Sequence, residues 1–310
     1  MNTLRAAIED YLTMRRGLGF KLCRAGKGLL DFASFLEERG ATYITTSLAL
    51  EWAQQPELAQ PAEWAQRLSY VRGFARYRSA IDPRTEVPSS RLLPYRPRRA
   101  RPYFYTDEEI GRLLAAALKL PPADGLWGWT YHALLGLLVV SGLRISEAIG
   151  LKLEDVDVRE GVLTVRGAKL GKSRLVPVHV STREALANYK LRRDDFLAGR
   201  PAPYFFISKR GYRLDGANVR RTFYQLSRQI GLRGPDSRSG PRLHDFRHRF
   251  AVETLLNWYR AGDDVERRLP VLSTYLGHVH VSDTYWYLTA CPELMGLAVE
   301  RLEQRWEVPS

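Results

Sequence analysis

Cysteine is nearly absent: Cys23 and Cys291 are the only two, far apart and without metal-ligand spacing. This excludes a disulfide framework and a cysteine zinc site, and it predicts two reduced thiols in a cytoplasmic protein. Long apolar runs are missing too. The longest, Ala133–Val140, falls far short of a membrane span. The first twenty residues carry Glu9 and Asp10 and no apolar stretch, so no secretory leader is expected. Acid is the scarce charge, with 34 Asp and Glu against 47 Lys and Arg, a formal net charge of +13. That balance points to a polyanionic partner, nucleic acid before membrane. What the chain does have is aromatic bulk. Sixteen Tyr, eleven Phe and seven Trp within a 45% hydrophobic composition argue against disorder.

At 310 residues, two domains are expected. Residues 1–82 read as four helices. Leu4, Ile8, Tyr11 and Leu12 recur at helical spacing until Gly17-Leu18-Gly19, and Leu29, Phe32, Ala33 and Leu36 form a second stripe ended by Gly40. Ser47 is the expected cap of a short third helix, and Pro61 suits the first turn of a fourth. Residues 83–104 differ, with five prolines and six arginines against one acid, Glu86. They read as an extended basic linker, and Arg96, Arg98, Arg99 and Arg101 are candidates to lie along phosphate.

From residue 105 to 310 a second domain is expected. Thr106 and Glu109 form a capping-box pattern opening a helix. Further helices are predicted over about 126–140, 182–196, 215–230, 243–258, 265–275 and 293–306. Val162–Arg166 and Arg174–Val178 alternate like strands about a turn that presents Lys169 and Lys172. The fold class is therefore mainly α with a small antiparallel β-sheet. Arg220 and Arg221 lie on a predicted helix able to enter a DNA groove.

Three stretches can carry chemistry. Leu243–Arg249 (LHDFRHR) places His244, Arg247 and His248 on one helical face, where they could meet one phosphate. They could equally be surface polar groups. A four-imidazole metal site with His278 and His280 matches no common zinc spacing, and HDFRH lacks the glutamate of HExxH. In Val140–Leu151 (VSGLRISEAIGL), Arg144 follows a Ser-Gly break at a helix start, an anion-friendly corner, or else is simply paired with Glu147. Tyr275–Thr289 (YLGHVHVSDTYWYLT) holds His278 and, nine residues on, Tyr287. Tyrosine is a poor nucleophile near neutral pH, since its pKa is about 10, and it needs a base or a strongly positive setting.

The order Arg, Lys, His-x-x-Arg, His, Tyr resembles the tyrosine recombinases, the phage integrase family, and is closest in pattern to their Xer-like members. The resemblance covers about residues 105–290, and the helical residues 1–82 fit the family's N-terminal core-binding domain. It implies a two-domain clamp on duplex DNA, with catalytic residues Arg144, Lys169, His244, Arg247, His278 and Tyr287. Lys169 is preferred to Lys172 for the hairpin position, and Lys172 becomes a DNA contact. The implied mechanism uses no cofactor or metal. Tyr287 attacks a phosphodiester to leave a 3′-phosphotyrosine, Arg144 and Arg247 hold the non-bridging oxygens, and His244 is the general base. Lys169 protonates the leaving 5′-oxygen, and His278 bonds the phosphate. A homotetramer on two DNA sites, or co-acting recombinases, is implied as the assembly, with the last helix docking on its own or a neighbouring subunit. Integration, excision or resolution, of a mobile element for example, is the implied task. The alternatives are a type IB topoisomerase-like enzyme relaxing DNA and a sequence-specific DNA-binding protein without recombination activity.

Overall fold

The computed structural model describes residues 3–57, 59–94, 101–122, 125–167, 173–235, 237, 240–289 and 291–307. It divides the chain at Arg101 into two compact units. In the first, helix starts follow hydroxyls and proline. Thr3 caps α1 (Leu4–Gly17) by accepting from the Ala6 amide, and Pro61 opens α4 (Pro61–Arg78). α2 is Cys23–Glu38 and α3 is Thr46–Gln54. The cap of α3 is Thr45 and not Ser47: Thr45 is still extended, so its side chain reaches the free Leu48 amide, whereas Ser47 already lies inside the first turn.

The apolar stripes of these four helices meet in one core that buries Ile8, Leu12, Phe32, Trp52, Val71 and Phe74. Trp52 is wholly buried, so its indole nitrogen needs a partner, and it donates to Asp31 at 3.0 Å. Part of the proline-rich stretch is fastened to this unit. Glu86 accepts from the Thr46 amide at 2.7 Å, and Arg72 donates to the carbonyls of Pro88 and Ser89, each at 2.7 Å. Arg96, Arg98 and Arg99 lie outside the described residues.

The second unit is built on α6 (Leu126–Ser141), which carries apolar side chains all round and buries them between neighbours. α5 (Asp107–Leu118), opened by the Thr106/Glu109 capping box, packs on it, as do α8 (Val180–Leu197) and α10 (Leu243–Arg260). Between α6 and α8 run the single-turn α7 (Ile145–Ala148) and a three-stranded antiparallel sheet. Its strands are β1 (Val156–Asp157), β2 (Val162–Val165) and β3 (Arg174–Pro177), in the order β1-β2-β3. Leu163 pairs with Val156 on one side and Val176 on the other, and all three are buried. The fold is mainly helical with a small antiparallel sheet, as expected, although the two-residue β1 carries no alternation by which a sequence could reveal it.

The chain continues through α9 (Gly216–Gln229), α10, α11 (Val265–Leu276), α12 (Ser282–Tyr285), a 3₁₀ turn (Trp286–Thr289) and α13 (Pro292–Glu307). These last elements enclose a second apolar cluster around Leu255, Leu272, Leu276, Tyr287 and Leu294. Among the described residues no helix is long and apolar enough to cross a membrane.

Candidate active site

The site forms where α11 ends. The last carbonyls of a helix have no intrahelical donor and carry partial negative charge. Gly277 turns left-handed at φ +69°, and the amides of Gly277 and His278 return to the carbonyls of Thr274 and Ser273. The next three carbonyls, of Tyr275, Leu276 and Gly277, each receive a guanidinium. Arg174 donates to Tyr275 at 2.7 Å, Arg247 to Leu276 at 2.7 Å, and Arg144 to Gly277 at 3.3 Å.

Arg247 reaches this place from α10, only 2% exposed, and its other nitrogen donates to the Gly142 carbonyl at 2.8 Å. Burial lowers its pKa, and the neighbouring Tyr287 side chain acts in the opposite sense. The reading of Arg247 as a solvated surface group is therefore excluded. Gly142 is required here. It ends α6 at φ +58°, and a Cβ on it would lie 2.7 Å from the Phe250 ring.

Arg144 precedes α7 and is pinned by Glu147, which accepts from the Arg144 amide at 3.0 Å and from its guanidinium at 2.9 Å. The sequence suggested a guanidinium beside helix amides. The structure instead shows the other reading, the pair with Glu147 of α7, and directs the second terminal nitrogen to the Gly277 carbonyl at the end of α11, because the carboxylate and that carbonyl both attract positive charge. Burial would raise the Glu147 carboxyl, but hydrogen bonds from Arg174 and Arg144 outweigh it and hold the group below its ordinary value.

His278 follows Gly277 and meets the Thr284 hydroxyl through Nδ1 at 2.7 Å. Burial first, then Arg247 and Arg144, hold its imidazole down at about 4, so it is neutral at physiological pH. Its ring stacks on Tyr287, centroids 5.9 Å apart. The two candidate tyrosines are separated clearly. Tyr287 is 3% exposed against this cluster, whereas Tyr285 is 55% exposed.

His244 stands at the solvent edge of the same face. Desolvation and then the positive Arg247 lower its pKa. Its ring lies 4.7 Å from that of His248, which in turn touches the Tyr287 ring at 5.5 Å. His248, noted in the sequence for its i+4 spacing and as one of four imidazoles, thus packs between the base candidate and Tyr287. Thr284 carried no sequence signal, since its role depends on how the chain folds back after His278. Among the described residues no three His, Cys, Asp or Glu side chains group as a metal-ligand set.

Lys169 and Lys172 lie outside the described residues. Arg101 is exposed at the start of the second unit. Arg220 and Arg221 are exposed on α9, where Arg221 donates to Asn218 at 3.3 Å, and no described contact joins them to the cluster.

Five of the expected groups, Arg144, His244, Arg247, His278 and Tyr287, therefore share one site. The model of the phage integrase family matches residues 104–293, which span it. The chain belongs to that family. This tyrosine recombinase is 60% identical over 99% of its length, and 99% of the other's, to a protein of Sinorhizobium fredii named as integrase/recombinase y4rB. It is 31% identical to the tyrosine recombinase XerD of Mycobacterium tuberculosis, over 93% of this chain and 94% of that one. Its fold resembles the Tn1549 transposon integrase solved with transposon right-end DNA, at a TM-score of 0.66 and 16% identity over 96% and 98% of the two chains. It also resembles XerH solved in a post-cleavage complex with its difH substrate, at a TM-score of 0.64 and 19% identity over 91% and 78%.

Proposed function

We propose that this tyrosine recombinase cuts and rejoins duplex DNA at specific sites through a 3′-phosphotyrosine on Tyr287. The observation that carries the reading is the convergence of Arg144, Arg247 and His278 on the end of α11, with Tyr287 against them. A phosphodiester under attack gathers charge on its non-bridging oxygens, and two guanidiniums already gathered at one place stabilise that charge. Both arginines hold carbonyls in the free protein, so DNA phosphate would replace neutral acceptors with a charged one, a stronger hydrogen bond for each.

Tyr287 supplies the attacking oxygen and loses its proton toward His244, the imidazole base at the open edge of the site. The phosphorus–oxygen bond to the 5′ side breaks as the tyrosine–phosphorus bond forms, and Lys169 gives a proton to the departing 5′-oxygen. Neutral His278 donates to a phosphate oxygen through Nε2, its Nδ1 being engaged by Thr284. The phosphotyrosine conserves the bond energy, so a 5′-hydroxyl from another strand can reverse the step and exchange strands.

Duplex DNA is the partner, with Arg96, Arg98, Arg99, Arg101, Lys172, Arg220 and Arg221 as phosphate contacts. Assembly as a homotetramer on two DNA sites, or with co-acting recombinases, is supported by the fold's likeness to a lambda integrase solved as a tetramer on a Holliday junction (TM-score 0.60, 21% identity, 90% of this chain and 78% of that one). The biological task is integration, excision or resolution, with a mobile element as the setting. A cytoplasmic location follows from such a task.

A plasmid bearing two copies of the DNA that flanks the gene tests the reading. Expected are recombinant circles from the wild-type protein in excess EDTA and none from Tyr287→Phe. Relaxed plasmid without recombinants would instead support a topoisomerase-like activity, and an active Tyr287→Phe variant would overturn the assignment.

A further inference from the structure

Arg174 is nearly as enclosed as the catalytic candidates, with 9% of its side chain exposed, yet the proposed chemistry leaves it without a task. It opens β3. Its guanidinium spans the site: Nε donates to the Tyr275 carbonyl at 2.7 Å, while its two terminal nitrogens donate to the two Glu147 oxygens at 3.1 and 2.9 Å. The backbone has been cleared to admit it. A Cβ on Gly277 would lie 2.7 Å from its Nη1, so the residue before His278 must be glycine both for its φ and for the passage of Arg174.

Glu147 is the other half of the arrangement. Only 8% of its side chain is exposed, and it accepts from Arg144 as well as Arg174. A buried carboxylate facing one cation takes that cation fully, because an uncompensated charge in such a place is costly. With Arg174 removed, the cation in reach is Arg144, three residues away on the same turn. Arg144 would then close both its fork nitrogens on Glu147 and turn from the position where phosphate binds.

We propose that Arg174 is a positioning residue for strand cleavage: by sharing both oxygens of Glu147 it holds Arg144 to one guanidinium bond with that carboxylate, so the other terminal nitrogen of Arg144 stays turned toward the place where a DNA phosphate binds. The inference rests on the assignment of Arg144 as a phosphate-binding group. It also makes β3 a tie between α7 and the end of α11.

A mutant cycle tests it with wild-type protein, Arg174→Ala, Glu147→Gln and the double variant. Single-turnover cleavage of a nicked duplex is measured separately from DNA affinity. Arg174→Ala is expected to slow cleavage by about 10- to 100-fold, the cost of misplacing a reacting group by an ångström or so, with affinity for DNA within about twofold. Arg174→Lys recovers part of the loss, since one ammonium cannot hold both oxygens and the Tyr275 carbonyl. The deciding arm is the double variant: removing the carboxylate charge releases Arg144, so Arg174→Ala with Glu147→Gln cleaves faster than Arg174→Ala alone. A role in packing alone predicts no such recovery.

Wild-type cleavage speed in Arg174→Ala, or a double variant no faster than Arg174→Ala, overturns the proposal. Should Arg174→Ala fail to fold, Arg174→Gln takes its place in the cycle. A wild-type protein that forms no covalent species on DNA defeats the functional reading instead. Inorganic vanadate binding by the same four proteins then decides this one. Weaker binding in Arg174→Ala that returns in the double variant supports it, and equal binding in all four overturns it.

Discussion

Gly142→Ala is the sharpest single probe of how the fold holds the site. The residue ends α6 at φ +58°, where an alanine costs about 1–2 kcal/mol because its Cβ crowds the following carbonyl. The added carbon would also lie 2.7 Å from Cδ1 of Phe250 and 3.2 Å from Cδ2 of Leu276. Phe250 is half-buried and can swing partly aside, so the overlap adds roughly 1–2 kcal/mol, toward the low end for an overpacked contact. Together these destabilise the second unit by about 2–4 kcal/mol, which lowers its Tm by about 5–15 °C for a unit of this size. The two causes separate experimentally. Gly142→Ala with Phe250→Leu should regain the packing share and keep the backbone share. The effect on chemistry follows as well, since the Gly142 carbonyl holds Arg247 at 2.8 Å, and cleavage should slow beyond what instability explains. Thermal unfolding followed by circular dichroism, beside a cleavage assay below the transition, reads both. A Tm within 1–2 °C of wild type, a shift of under about 1 kcal/mol, would refute the left-handed cap and the close approach of Phe250.

Acid should weaken the fold through His248, whose pKa burial and then His244 depress to about 4 from 6.5. A depressed histidine stabilises the native state fully above its unfolded pKa, and that contribution disappears as pH falls through about 4. The shift corresponds to roughly 3 kcal/mol, and urea midpoints across that window should fall less in His248→Phe than in wild type. An equal fall in both would contradict the buried neutral imidazole. Thr284→Val removes the partner of His278 Nδ1 from a fully buried position. It should cost about 1–2 kcal/mol in chemical denaturation and slow cleavage, and unchanged values in both would show that the contact does not orient the ring. The logarithm of DNA affinity should fall linearly with the logarithm of salt, and Arg101→Gln, Arg220→Gln and Arg221→Gln should each reduce that slope by about 1 if they meet phosphate. Unchanged slopes would remove them from the interface.

Much of this was legible in the sequence because it is written locally. The capping box at Thr106 and Glu109, the apolar stripes of α1 and α2, and the alternation of β2 each lie within a few residues. The grouping of Arg144, Arg247, His278 and Tyr287 could be anticipated only through their family-like order, since they come from four separate elements. Spacing also separated Tyr287 from Tyr285, and their opposite burial gives the physical reason. What escaped depends on the tertiary path. The bonding of three guanidiniums to three successive carbonyls at the end of α11 cannot be read from any one segment, and neither can the Thr284 contact with His278. Arg174 stood out in the sequence only as the first residue of a strand, yet its side chain joins three parts of the site. The cap of α3 went to Thr45 over Ser47 because capping follows the backbone turn and not the residue type alone.

Covalent chemistry at one oxygen, the Tyr287 hydroxyl, can be trapped directly. A duplex with a nick beside the scissile phosphate, drawn from the DNA flanking the gene, traps the intermediate because the severed strand's short end diffuses away. Incubation in excess EDTA, proteolysis and mass spectrometry then map the linkage. The expected product is a 3′-phosphopeptide joined at Tyr287 and absent from Tyr287→Phe. An adduct at the exposed Tyr285, or one that persists in Tyr287→Phe, would contradict it.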